Sequence, residues 1–132
     1  MLRRIGLTFF AGALGGVVNS LFVWGFGELG LNAKAGVNLA PPLTKEWLYP
    51  RIVWGGLWGF LFLLPIAARS PFAKGILLSI APTLVQLLII FPQGRGGMLG
   101  FQLGPLTPLL VIFFNAVWGI TAAFYLKQAG QR

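Results

Sequence analysis

IGLTFFAGALGGVVNSLFVWGFG, residues 5–27, runs for 23 positions without a charged side chain. A transmembrane helix needs about 20 consecutive, mostly apolar residues. Arg3 and Arg4 precede this stretch and Glu28 follows it, so the charges lie at its two ends. That placement is typical of a membrane span, because the dry interior of a bilayer excludes charge. The stretch therefore predicts a first transmembrane helix.

Three further apolar stretches follow, at residues 52–68, 72–91 and 106–126. The first of these lies at the short end of the length range for a membrane span. The sequence therefore predicts an all-α, polytopic membrane protein, in which residues 1–132 form a single domain with four transmembrane helices. We expect spans that are consecutive in sequence to pack as antiparallel neighbours.

The composition excludes several kinds of chemistry. The chain has 132 residues, of which 10 are Lys or Arg and 2 are Asp or Glu, and it has no His and no Cys. There is thus no thiolate nucleophile, no imidazole base and no metal site of the usual His or Cys type. We expect a protein that is not an enzyme, with no catalytic residues, no metal and no cofactor.

Two other interpretations of the apolar stretches are less favoured. Only 9% of the residues are charged, against about 25% in an average soluble protein, so four buried helices of a soluble fold would lack a polar outer layer. A cleaved signal peptide would use Ala11-Gly12-Ala13 as its cleavage site. The apolar segment before it, 5–10, is shorter than the usual 7–15 residues, and the apolar run continues beyond it.

The basic residues predict the orientation. With four spans both termini lie on one side, together with Arg3, Arg4, Arg69, Lys74, Lys127 and Arg132, while Lys34, Lys45, Arg51 and Arg95 lie on the other. Because cytoplasmic loops carry the excess of Lys and Arg, we expect cytoplasmic termini in the plasma (inner) membrane of a cell. The basic residues are scattered singly, which favours contact with the lipid bilayer and argues against nucleic acid.

Two loops then lie on the outer side, at 28–50 and 92–105. The second is rich in Gly and Pro and is either an interfacial connector or a re-entrant segment that lines a cavity. We also expect Glu28, at the outer end of the first span, to pair with Arg51 or Lys34.

Small residues recur every four positions in the predicted spans. They are Gly12, Gly16 and Ser20 in the first, Gly55 and Gly59 in the second, Gly75, Ser79 and Thr83 in the third, and Gly119 with Asn115 and Ala123 in the fourth. Such stripes let helix backbones approach closely, which is how helices associate in lipid. We interpret these residues as helix-packing positions.

Three amides lie on or beside these stripes: Asn19, Gln86 and Asn115. Their positions predict similar depths in the membrane. They are either hydrogen-bonded links between helices or a polar site within the membrane. Pro82, in the middle of the third span, removes a backbone hydrogen bond and predicts a kink there.

Two functions are compatible with these features. The first is a non-catalytic accessory or structural subunit that packs with itself, as a homo-oligomer, or with a partner membrane protein. The alternative is a small oligomeric channel or transporter for a neutral or anionic solute. The absence of acidic residues within the spans argues against proton- or cation-coupled export.

Overall fold

The computed structural model describes residues 1–66, 70–94 and 96–130. All regular structure within these ranges is helical, as predicted. The helices are α1 (Leu2–Glu28), α2 (Leu31–Lys34), α3 (Lys45–Gly59), α4 (Pro71–Val85), α5 (Phe91–Gln93) and α6 (Thr107–Gln128). A 3-10 turn at Phe60–Leu63 extends α3, a π-helical turn at Gln86–Ile90 joins α4 to α5, and a short 3-10 turn lies at Met98–Gly100.

Three helical segments are long and apolar enough to cross a membrane: Leu2–Glu28, Pro71–Gln93 and Thr107–Gln128. They overlap the predicted first, third and fourth spans. Together they confirm the expectation of a multi-pass membrane protein.

The segment predicted as the second span differs from the expectation. It contains a shorter helix, α3, which begins at Lys45, seven residues before the predicted start, and whose 3-10 extension ends at Leu63. Leu64 is then extended, the conformation that a following proline favours. The predicted end at Ala68 lies outside the described residues, as do Arg69, Arg95 and Arg132, which entered the orientation argument.

The early start of α3 has a local cause. The side chain of Thr44 accepts a hydrogen bond from the backbone N–H of Trp47 at 3.3 Å, and this caps the helix. Pro50 lies in the second turn, where its missing N–H leaves only the carbonyl of Glu46 without a helical donor. Glu46 is exposed at the helix start, so water can satisfy that carbonyl.

The four long helices pack in the order α3, α1, α6, α4. The expectation that consecutive spans are neighbours is therefore wrong for α3 and α4, which form no extensive contact with each other. Instead the first and last helices, α1 and α6, lie side by side in the middle. A groove remains between α3 and α4, and α1 and α6 form its floor.

Glycines set the distance between α1 and α3. A Cβ atom on Gly55 would lie 2.7 Å from the carbonyl oxygen of Gly12, and one on Gly16 would lie 2.8 Å from that of Arg51. Gly12 in turn lies against Gly59. Any larger residue at these positions would force the two backbones apart.

The α4–α6 pair is built in the same way. A Cβ atom on Gly75 would lie 2.5 Å from the carbonyl oxygen of Gly119, and one on Gly119 would lie 3.2 Å from the Cβ of Ser79. Between the two pairs, Gly15 faces the backbone of Trp118, where a Cβ atom would lie 2.6 Å from the carbonyl oxygen. The three helix interfaces thus all depend on glycine.

Several polar side chains are buried among the apolar core residues of the bundle, and its outer surface is apolar. Thr8, Ser20 and Thr107 are almost fully buried. Large apolar side chains cover the outer surface instead, among them Phe22, Val53, Leu57, Ile80, Leu84, Leu88, Ile112 and Phe113. This arrangement suits a bilayer, whose hydrocarbon takes the place of water around the protein.

The two longer loops meet at the end of the bundle where α1 ends and α6 begins, which we call the loop end. The backbone N–H of Asn38 donates to the carbonyl of Leu103 at 2.7 Å. A Cβ atom on Gly104 would overlap the carbonyl oxygen of Gly36, so this approach requires glycine. The 92–105 loop also folds back on α5, since the N–H of Gly97 donates to the carbonyl of Phe91 at 2.9 Å.

Candidate functional site

The groove between α3 and α4 is the candidate site. Its volume is about 420 Å³, within the range of roughly 300–1,000 Å³ that is common for small-molecule sites. All four long helices contribute to its lining, which consists of Gly16, Asn19, Pro50, Arg51, Trp54, Gly55, Trp58, Pro82, Val85, Gln86, Ile90, Asn115 and Trp118. The groove therefore combines a mainly apolar wall with four polar side chains.

Arg51 provides the only charged side chain among the described lining residues. Its Nε donates a hydrogen bond to Oγ of Ser20 at 2.8 Å, and Nη2 donates to Oδ1 of Asn19 at 2.6 Å. The guanidinium carbon lies 4.6 Å from the centre of the Trp47 ring, as in a cation–π contact. These contacts hold the guanidinium against α1.

The charge of Arg51 has no acidic partner in the described part of the chain. The expected pair between Glu28 and Arg51 is wrong, because the guanidinium turns to Asn19 and Ser20 instead. A guanidinium has five N–H donors, and two of them are used. The other three have no protein acceptor among the residues described, so Arg51 can still bind an anion.

Asn19 joins three helices at this point. Its Nδ2 donates to the carbonyl oxygen of Phe114 on α6 at 2.6 Å, while its Oδ1 accepts from Arg51 on α3. Asn19 itself is only 6% exposed, and the neighbouring Ser20 is fully buried. The oxygen and the nitrogen of the Asn19 amide thus each have a partner within the bundle, and the oxygen holds the guanidinium of Arg51 against α1.

The opposite wall carries neutral groups. Nδ2 of Asn115 donates to Oγ1 of Thr83 at 3.0 Å and lies 3.5 Å from Oε1 of Gln86, at the outer limit for a hydrogen bond. Oγ1 of Thr83 also donates to the carbonyl of Ser79 at 2.8 Å. Oδ1 of Asn115 and Nε2 of Gln86 have no partner in the described residues and remain available to a ligand.

The four polar side chains lie at similar depths below the loop end. Asn19 is nine residues before the end of α1, and Arg51 is six residues after the start of α3. Gln86 is seven residues before Gln93, and Asn115 is eight residues after the start of α6. At about 1.5 Å per residue, all four lie roughly 9–14 Å from that end.

The three predicted amides therefore line one groove, but they do not form one hydrogen-bonded cluster. Asn19 lies on the Arg51 side, whereas Gln86 and Asn115 lie together on the other. Pro82 also lines the groove. α4 continues through this proline, and the regular α-helix changes to a π-helical turn four residues later, at Gln86. Turns of this kind are frequent at functional sites.

The floor of the groove is held by Trp118 on α6. Its indole N–H is shared between the carbonyl oxygens of Gly12, at 3.0 Å, and Gly55, at 3.3 Å. One side chain thus links α6 to both α1 and α3. Trp118 is 4% exposed and its ring lies 5.8 Å from that of Phe62, so it belongs to the core as well as to the site.

The role of Arg51 was not predicted. A loop rich in Gly, Asn and Pro precedes this residue and indicates no long regular structure, so Arg51 was expected to be a charge at the end of a span. The capping residue Thr44, followed by Glu46 in the first turn, is the signal that would have placed the helix start earlier. With that start, Arg51 falls inside the helix and on the face that packs on α1.

The fold and the composition define a class: the chain is a small multi-pass membrane protein. No protein-family model, no curated protein and no solved structure matches it. Function must therefore be argued from the groove itself.

Proposed function

We propose that the protein is a non-catalytic membrane protein that binds an anionic molecule in the groove. The observation that carries this proposal is the guanidinium of Arg51, which lies inside the bundle with three N–H donors unused and no carboxylate beside it. Charged groups within membrane-spanning bundles are costly, and they usually mark a ligand or ion pathway. Gln86 adds a neutral donor and Asn115 an acceptor on the facing wall.

The groove supports the binding of an anionic solute, which is one part of the channel or transporter alternative. The glycine stripes do not by themselves support the accessory-subunit function. Gly12, Gly16, Gly75 and Gly119 pack against other helices of the same chain, so these stripes need no partner protein.

The binding proposal is tested with a small anion that also carries a short apolar tail. Hexyl phosphate should raise the unfolding temperature of the purified protein in a neutral detergent, because a ligand that binds only the folded state stabilises it, by about 1.4 kcal/mol at ten times its Kd. Hexanol should not. Arg51→Gln should abolish the effect, while Lys45→Gln, a change to an exposed cation on the same helix, should preserve it. Equal stabilisation of the Arg51→Gln variant would refute the proposal.

Transport is tested separately in proteoliposomes. If the protein also moves its ligand, a labelled alkyl phosphate should leave vesicles that contain the wild-type protein and stay inside those that contain Arg51→Gln. Retention of the label in both, with binding intact, would assign the protein a binding role without transport.

We also propose that α3 crosses the membrane as a fourth span, with both termini in the cytoplasm. The chain has no cysteine, so single cysteines at Asn38 and at Gln128 are unique labels. A membrane-impermeant thiol reagent applied to intact cells should label the first and spare the second. Labelling at Gln128 alone would invert the orientation, and labelling at both would mean that the number of crossings is odd.

A further inference from the structure

The groove is open on one side, between α3 and α4. α3 packs on α1, and α4 packs on α6, but the two outer helices form no extensive contact. The side opposite the floor is therefore a gap between two helices. In a bilayer, a gap between two neighbouring spans faces lipid acyl chains.

The two edges of this gap are apolar. Trp54 on α3 is 61% exposed and Ile90, in the π-helical turn, is 56% exposed, and both line the groove. Inside the gap the wall continues with Trp58, Val85 and Pro82. A molecule that enters by this route would pass over apolar surface before it reaches Arg51, which favours an amphiphile over a small hydrated anion.

The acidic side chains of this chain do not supply a negative charge that could neutralise Arg51. The whole chain has only two acidic side chains against ten basic ones. Glu28 is exposed at the end of α1, closer to the loop end than the four polar side chains of the groove, and Glu46 is exposed in the first turn of α3. A second copy of the chain is equally poor in acidic groups, so it is a weak source of the missing charge. Anionic lipid headgroups are the remaining source of negative charge in a membrane.

Lys74 is a second basic side chain inside the bundle, but its surroundings differ from those of Arg51. Lys74 is also buried, at 4% exposed, but its Nζ donates to the carbonyl of Phe62 at 3.3 Å. That carbonyl lies in the 3-10 turn that ends α3, where the helix dipole favours a positive charge. Lys74 does not line the groove. Arg51, by contrast, faces open space with donors to spare.

On these grounds we infer that the ligand of the groove is an anionic phospholipid, held with its phosphate at Arg51 and its acyl chains leaving between Trp54 and Ile90. The inference rests on the proposed function and names the class of molecule that is bound. Arg is suited to this contact, because its planar guanidinium binds two phosphate oxygens at once. Nε2 of Gln86 supplies a further donor from the facing wall.

The test uses the full chain in nanodiscs of phosphatidylcholine that contain a minor fraction of phosphatidic acid. Native mass spectrometry then measures which lipid stays on the protein after the nanodisc is removed. We expect the ratio of bound phosphatidic acid to bound phosphatidylcholine to exceed the bilayer ratio by on the order of tenfold, the factor that corresponds to a free-energy difference of about 1.4 kcal/mol. Arg51→Gln should return it to the bilayer ratio, and Lys45→Gln should leave it high.

A second variant guards against misfolding of Arg51→Gln. Val85→Trp fills the groove from α4 and leaves the contacts of Arg51 with Asn19 and Ser20 in place. It should also lose the enrichment, while its unfolding temperature and its monodispersity stay close to those of the wild type. Enrichment that persists in Val85→Trp would overturn the inference, because the lipid would then be bound elsewhere.

Free phosphate distinguishes the two possible sources of the anion. If the hexyl phosphate effect depends on Arg51 but phosphatidic acid is not enriched, the lipid inference is wrong and the proposed function stands. If inorganic phosphate binds the wild type as tightly as hexyl phosphate does, the apolar gap contributes nothing and the lipid inference is again wrong. If neither alkyl phosphate nor phosphatidic acid shows a dependence on Arg51, both proposals fail.

Discussion

The α1–α3 and α4–α6 pairs share one packing device but carry different polar groups. In both, glycines bring the backbones together, through Gly12 and Gly55 in one pair and Gly75 and Gly119 in the other. At the same depth, the first pair holds a guanidinium that is tied by two short hydrogen bonds, and the second holds neutral amides and a hydroxyl. Close packing of the helices and the choice of polar side chains between them are therefore determined by different residues. The glycines set the geometry, and the residues one turn away set the chemistry.

The difference has an energetic side. Hydrogen bonds to a charged group contribute roughly 1.5–3 kcal/mol, whereas neutral bonds between membrane helices average about 0.6 kcal/mol. The side chains around Arg51 are therefore expected to be more important for stability than those around Asn115. The contacts of Arg51 should be rigid, and the Gln86 and Asn115 side chains should be free to rearrange around a ligand.

The largest effect on stability should come from the glycines that bring the backbones together in both helix pairs. Gly12→Ala would place a methyl group on the backbone of Gly59, and Gly119→Ala would place one on Gly75. Each change should lower the free energy of unfolding by about 1–3 kcal/mol, because the helices must move apart. The check is unfolding in a mild detergent, followed by tryptophan fluorescence. Gly25→Ala is the matched control, since no atom lies within 4 Å of its added Cβ, and it should be neutral or stabilising by up to about 1 kcal/mol. Equal effects at all three sites would mean that the glycines act through helix propensity alone.

The next effect separates the two pairs. Asn19→Ala should cost about 2 kcal/mol, because it removes one hydrogen bond to the guanidinium of Arg51 and one to the carbonyl of Phe114. Asn115→Ala should cost less than about 1 kcal/mol, since it removes one good neutral bond, to Thr83. The same unfolding measurement compares them directly. A larger loss for Asn115→Ala would mean that Asn115, and not Asn19, is the amide that contributes more to the stability of the fold.

An effect smaller than that of Asn19→Ala is expected for the link between the pairs. Trp118→Phe keeps an aromatic ring in the core but removes the N–H that reaches Gly12 and Gly55. A neutral hydrogen bond contributes about 1 kcal/mol, so the variant should lose about that much stability. Because the groove floor stays filled, hexyl phosphate should still stabilise it. Loss of the ligand effect with full stability would show that the indole N–H acts on the ligand and not on the fold.

Much of the fold was predictable because a bilayer imposes simple rules. Apolar runs of sufficient length and charges at their ends located α1, α6 and the α4–α5 segment. α3 was placed less well, because residues 28–50 are rich in Gly, Asn and Pro and only the capping by Thr44 shows that the helix starts before Pro50. The order of the helices was out of reach, since it depends on which glycine faces meet.

The candidate site was predictable only in part. The three amides that line the groove stood out in the sequence, because polar side chains are rare in such spans and these were expected at similar depths. Arg51 was missed because a charge near the end of an apolar run is ordinarily an anchor at the headgroups. Its inward position follows from Ser20 and Asn19 on another helix. The sequence around Arg51 has no pattern that predicts hydrogen bonds to side chains of another helix.

The π-helical turn at Gln86–Ile90 amounts to one residue inserted into a regular helix. An extra residue turns everything that follows by about 100° around the helix axis. In this chain it lets Gln86 face the groove while Phe91, beyond the turn, packs against Gly96 and Gly100. Deleting Ile89 would restore the regular hydrogen-bond register and rotate Phe91 away from those glycines. The number of residues in the α4–α5 segment therefore determines how the 92–105 loop attaches to it, and so do the side chains of the loop.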